Sequence, residues 1–89
     1  MKEAVRAERV LVAKARATLD RDPALALKRL RELGQAYPRG SLREERDRLT
    51  IVALMRLTRA AEAQTAARRF LDHYPNSIHR ALAESVLER

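Results

Sequence analysis

The chain has 89 residues, with nineteen basic and twelve acidic side chains, a net charge of +7, and 46% hydrophobic residues of which three are aromatic. A single domain of this size hides only about 60–65% of the surface its unfolded form exposes, so its core is thin and rests on closely approaching helices rather than on large rings. The absence of cysteine excludes a disulfide framework and thiolate metal sites, and there is no run of eighteen apolar residues for a bilayer span and no apolar leader at the start.

The charge belongs to neither half. Residues 1–45 carry eleven basic and seven acidic groups (net +4) and residues 46–89 carry eight and five (net +3). Sixteen of the cations are Arg, alternating with Glu and Asp along the chain. Such a pattern makes a solvated, weakly basic surface that draws acidic partners more than it commits to nucleic acid.

Small and aliphatic residues at Val5, Val12, Ala15 and Leu19 predict a first helix over residues 3–19 with one buried stripe. In Asp20-Arg21-Asp22-Pro23 a turn meets a start signal: Asp22 caps, and Pro23 takes the first helical position, where its missing N–H has no bond to lose. The second helix runs to Tyr37 with Ala26, Leu27, Leu30, Leu33, Gly34 and Tyr37 on one face, and Tyr37-Pro38-Arg39-Gly40 ends it. Ser41-Leu42-Arg43-Glu44 has the form of a capping box for a third helix reaching Leu57. That helix is apolar on two faces, Leu49/Val52/Ala53 and Ile51/Leu54/Met55, which predicts a central position touched from both sides. After a turn at Thr58-Arg59-Ala60, a fourth helix runs to Tyr74 with Ala63, Ala66, Ala67, Phe70 and Tyr74 inward. Pro75 stops it, and Asn76 or Ser77 is the expected cap of a fifth helix over 77–88 with a stripe of Ile78, Ala81, Leu82 and Val86.

The chain repeats itself. At an offset of 37, Ala24, Ala26, Arg31, Tyr37 and Pro38 fall on Ala61, Ala63, Arg68, Tyr74 and Pro75. Upstream, Leu11, Ala15 and Leu19 fall on Leu49, Ala53 and Leu57 at an offset of 38. The expected fold is therefore all-α: a five-helix antiparallel α-hairpin stack in one domain over 1–89. It holds one repeat over about 3–38, a second over about 41–75 and a capping helix over about 77–88.

Within this frame, Arg59 to Ser77, with Ala63, Ala67, Phe70, Tyr74, Pro75 and Asn76, resembles the second helix of a tetratricopeptide repeat. The match is to the Tyr-Pro-Asn-Ser variety of bacterial outer-membrane-assembly and cell-division-coordinating proteins. The first hairpin resembles it through Ala26, Leu30, Leu33 and Pro38; its period of 37–38 exceeds the usual 34 or so. The first helices depart from the family pattern, with Arg9 and Asp47 where an aromatic is usual and Ala13 and Ile51 where Gly is usual. The turn sequences also resemble C-terminal modules of envelope-associated regulatory proteins in Gram-negative bacteria.

The resemblance implies a non-catalytic protein-interaction or scaffold module, part of a longer bacterial protein at the cell envelope or in the periplasm; a complete chain would instead be cytoplasmic. It also implies a concave surface lined by the first helix of each pair: Lys14 from the first helix and Glu45, Arg48, Val52, Met55 and Arg56 from the third. Cations around an apolar strip suit a protein or peptide partner with acidic groups.

Catalytic patterns are lacking. His73 and His79 do not have the spacing of a helical metal pair, and Asp72, His73 and Ser77 lie within six residues, whereas triads draw on separate elements. The only glycines, Gly34 and Gly40, form no phosphate loop. No enzyme activity, cofactor or metal is expected. Two alternatives from other classes stand beside the interaction module. One is an Arg-rich DNA-binding module with Gln64, Thr65, Arg68 and Arg69 on a recognition helix. The other is a self-association element that stacks copies through exposed Val5, Leu11 and Val86.

Overall fold

A computed structural model describes residues 2–88, so Met1 and Arg89 at the limits of the expected domain lie outside it. It contains five α-helices: α1 (Lys2–Thr18), α2 (Pro23–Ala36), α3 (Arg43–Arg56), α4 (Ala60–His73) and α5 (Arg80–Leu87). No strand occurs among the described residues. Each helix packs chiefly on the next in the chain, α1 on α2 through to α4 on α5. The short axis of the molecule, 19 Å, is about two helix diameters, the thickness of two layers.

Charge pairs give the arrangement within the layers. Glu8 meets Arg46 near the start of α1 and α3, and Asp20 meets Arg56 at their ends, so the two helices lie side by side and parallel. Arg31 of α2 reaches Glu62 of α4 at 3.1 Å.

The helix ends follow from local chemistry. Asp22 caps α2, its side chain accepting the Leu25 N–H at 3.0 Å, with Pro23 at the first position. Both Tyr-Pro pairs stop their helices in one way. Tyr37 has φ −132° and ψ 63°, Tyr74 has φ −132° and ψ 62°, and each N–H closes the last helical turn at 2.8 Å. The match continues 37 residues apart through the next two bonds, Gly40 N–H to Tyr37 O and Arg43 N–H to Gly40 O, mirrored by Ser77 to Tyr74 and Arg80 to Ser77. This recurrence is compatible with two hairpin repeats and a final helix. Between α3 and α4, Thr58 takes the left-handed conformation (φ 55°) of a Schellman end, with Arg59 N–H bonded to Leu54 O.

The core is one cluster of small and aliphatic side chains around Phe70, running from Val12 and Ala15 to Ala83 and Val86. Leu49, Ile51, Ala53 and Leu54 of α3 are all buried, on more than one side of the helix, because α2 and α4 both pack on it. The small residues Ala63 and Ala67 of α4 are fully buried, as the close approach of α3 and α4 requires.

Several sequence expectations need correction. The α1 stripe runs through Glu8, Val12, Ala15, Thr18 and Leu19, whereas Val5 is 37% exposed. Glu8 displaces it because its carboxylate finds partners inside. The capping box of Ser41 and Glu44 does not form: the N-cap of α3 is Leu42, without a side-chain cap. Ser41 Oγ donates instead to Glu8 Oε1, and Glu44 Oε2 accepts from Ser77 Oγ at 3.0 Å. A carboxylate brought in by tertiary packing takes the place of the local cap, since Glu8 Oε1 also accepts the Leu42 N–H at 3.3 Å. The fifth helix begins at Arg80 rather than 77, with His79 at its N-cap position and Ser77 Oγ accepting the His79 N–H. Its buried residues are Ala83 and Val86; Ile78 is 90% exposed in the turn and Ala81 faces solvent.

Candidate functional site

Helical geometry gathers five of the six expected positions. At 100° per residue, Glu45, Arg48, Val52, Met55 and Arg56 occupy an arc of about 100° on α3. The fully buried residues Leu49, Ile51, Ala53 and Leu54 lie outside that arc. Val52 and Met55 are half-buried and packed against the core, forming an apolar strip. Arg48 Nε donates to Glu45 Oε1 at 2.8 Å, with both side chains about three-quarters covered. Arg56 is exposed at the end of the strip and pairs with Asp20.

Lys14 is not brought to this group. It lies about 200° around α1 from Arg16 and lines a separate cleft against α2 with Leu11, Arg29 and Leu33. Two residues the sequence reading missed contribute instead, Arg16 of α1 and Asp20 in the turn after it. Arg16 Nη2 sits 3.2 Å from Glu45 Oε2, so Glu45 bridges Arg16 and Arg48, while Asp20 holds Arg56. The spacing Arg9, Ala13, Arg16 places these three on one side of α1, with Asp20 four residues further on in the turn that follows, and that periodicity was the available signal.

The electrostatics suit capture of a carboxylate. Arg16 and Arg56 are about half exposed, and surface ion pairs contribute only about 0–1 kcal/mol each. Exchanging Glu45 or Asp20 for an incoming carboxylate therefore costs little, and a guanidinium can hold it with two parallel hydrogen bonds. Leu82 and Ser85 of α5, 37 residues after Glu45 and Arg48, are both half-buried at the equivalent register.

A second set of side chains is inward and structural. Glu8 is 1% exposed and its Oε2 lies 3.6 Å from Arg46 Nη1. The same Arg46 nitrogen donates to the carbonyls of Leu33 (3.1 Å) and Tyr37 (2.6 Å), closing the end of α2. Around Tyr74, the hydroxyl donates to Asp47 Oδ2 at 2.8 Å and accepts from Arg43 Nε at 3.1 Å. Burial, reinforced by Asp47, raises the Tyr74 hydroxyl pKa above its ordinary value, with Arg43 opposing.

The residues of the DNA-binding alternative divide. Thr65, Arg68 and Arg69 are exposed on α4, but Gln64 is half-buried, and the Thr65 hydroxyl donates to Ala61 O. Acidic Glu62 and Asp72 interleave on the same exposed side. The Arg59 hydrogen bond, opposed by desolvation and aided by the Arg59 charge and by Arg31, holds the Glu62 pKa below its ordinary value. His73 Nδ1 lies 2.8 Å from Arg69 O, and among the described residues no group of three or more His, Cys, Asp or Glu could hold a metal ion. None of the described helices is long and apolar enough to cross a membrane.

Comparison with known proteins finds no matching family model, no matching curated protein and no matching solved structure. The functional assignment therefore rests on the surface itself.

Proposed function

We propose that the chain is a tetratricopeptide-like, non-catalytic interaction module, part of a larger bacterial protein at the cell envelope, that binds a protein or peptide through the joint face of α1 and α3. The observation carrying this reading is the single arc of α3 that holds Arg48, Val52, Met55 and Arg56, bordered by Arg16 of the neighbouring parallel helix. An apolar strip flanked by half-exposed guanidinium groups matches a segment that alternates aliphatic and acidic residues. The face is short, about the 21 Å length of a 14-residue helix, so a single site binds modestly and gains from multivalent display.

Panning a random peptide library against the domain tests the reading. Enriched sequences combine acidic and aliphatic residues, and they lose binding to the double variant Arg48→Glu/Arg56→Glu while its circular dichroism stays that of the parent. Enrichment of basic peptides, or binding indifferent to the reversal, contradicts it. Titration with duplex DNA at two salt concentrations serves the alternative: a steep loss of binding with added salt is the signature of phosphate contacts.

A further inference from the structure

We propose that the open edge formed by α1 and α2 is the contact face for a second copy of this chain, in a two-fold, edge-to-edge dimer. The two ends of the stack differ. At the far end α5 covers α4 and shows solvent the paired Arg80 and Glu84 beside Ala81, while the exposed Ile78 stands alone in the preceding turn. At the near end, none of the described helices packs on the side of α1 away from α3. Val10 is 48% and Leu11 is 40% exposed there, and Leu11 opens into a cleft of about 360 Å³ floored by Leu33 and Ala36 of α2. The repeat indicates what such an edge is shaped to do. Leu49, 38 residues after Leu11, is only 2% exposed on α3, a helix that has partners on both sides.

Charge selects a second copy as the occupant. The chain carries +7, so most faces repel their own kind, but the rim of this edge mixes Arg6, Lys14 and Arg29 with Glu3 and Glu32. Three cations and two carboxylates leave +1, and interleaved signs let a two-fold partner set each carboxylate against a cation. A two-fold axis sets one patch against itself, the arrangement that a single edge of mixed charge can satisfy. The 17 residues of α1 span about 25 Å. Two helices side by side thus offer roughly 500 Å² per copy, about 1,000 Å² in total, the lower limit for a specific interface. The dimer is accordingly weak and concentration-dependent. The inference does not depend on the peptide-binding face, which lies on the other side of α1.

Sedimentation equilibrium of the full chain from micromolar to millimolar concentration tests it, alongside Leu11→Glu, Val10→Glu and, at the opposite end, Ile78→Glu. The expected result is reversible dimerisation of the parent and of Ile78→Glu, lost in the two edge variants, each checked for folding by circular dichroism. Val10→Glu decides the matter if Leu11→Glu does not fold. A parent that stays monomeric throughout, or a dimer that survives both edge substitutions or is abolished by Ile78→Glu, overturns the proposal.

Discussion

At residues 37–43 and again at 74–80 the chain makes the same turn, and it supports the two copies with different chemistry. The first rests on charges removed from water: Glu8 reaches Ser41 and the Leu42 N–H, and Arg46 ties the last carbonyls of α2. In the second, the position 37 residues after Arg46 is Ala83, and the polar contacts are partly solvated or exposed: hydroxyl contacts of Ser77 with Glu44 and of Tyr74 with Asp47 and Arg43, and a bond from Arg80 to the Pro75 carbonyl. Since the Tyr37 and Tyr74 backbones agree to within a degree, the turn is set by Tyr-Pro punctuation, and the side-chain networks hold the next helix to it. Gly40 shows the difference at one atom. A Cβ there would collide with the Glu8 carboxylate, while the matching residue in the second turn is Ser77, free to carry a side chain because no buried carboxylate stands over it.

The comparison can be broken most forcefully at Arg46. Replacing it by Ala leaves Glu8 buried without its cation and two carbonyls without their donor, a loss of about 3–5 kcal/mol in urea denaturation. The double variant Glu8→Leu/Arg46→Leu should recover the part of that loss due to the uncompensated charge, because removing a whole buried pair is often close to neutral, but not the part due to the two carbonyls. A double variant as unstable as the single one would show that the node is needed for the turn itself.

Leu54→Ala probes the helix both junctions share. Leu54 is 3% exposed in α3, and its truncation should cost about 2–5 kcal/mol in the same measurement. A change within error would remove α3 from the centre of the domain.

Gly40→Ala sharpens the contrast between the turns. The added methyl collides with the Glu8 carboxylate and should cost about 1–3 kcal/mol, most of it relieved in a Glu8→Ala background, which a double-mutant cycle reads directly. Equal costs in both backgrounds would place the requirement for glycine in the backbone.

Tyr74→Phe gives the smallest effect, about 0.5–1.5 kcal/mol for the lost hydroxyl contacts. Its pH dependence carries a sign. The folded-state pKa of Tyr74 is raised, so its stabilisation is fully present below the unfolded value of about 10 and declines as pH rises through the folded value. Denaturation across the alkaline range should show this decline in the parent and not in the Phe variant.

The sequence carried much of this, and the reasons are local. Asp22-Pro23, Tyr37-Pro38 and Tyr74-Pro75 act on their own backbone, so those helix ends are read without knowing the fold. The α3 positions Glu45, Arg48, Val52, Met55 and Arg56 came from the tetratricopeptide resemblance, and they fall on one arc because they share one helical period. What escaped depends on contacts between distant residues. Glu8 reads as a surface charge until the turn at Ser41, 33 positions away, folds over it. The capping box at Ser41 and Glu44 failed because both side chains found better partners in other elements. Arg16 was passed over for Lys14 because positions carried over by family resemblance do not say which side of a divergent α1 faces α3.

The most direct test of the central claim is a nuclear magnetic resonance titration of the labelled domain with a peptide that alternates Glu and Leu. Chemical-shift changes concentrated on Arg16, Arg48, Val52, Met55 and Arg56, and absent from Arg48→Glu/Arg56→Glu, are the expected result. Changes confined to the exposed side of α4 around Arg68 and Arg69, or a spectrum left untouched at saturating peptide, would contradict the assignment of the α1 and α3 face as the binding surface.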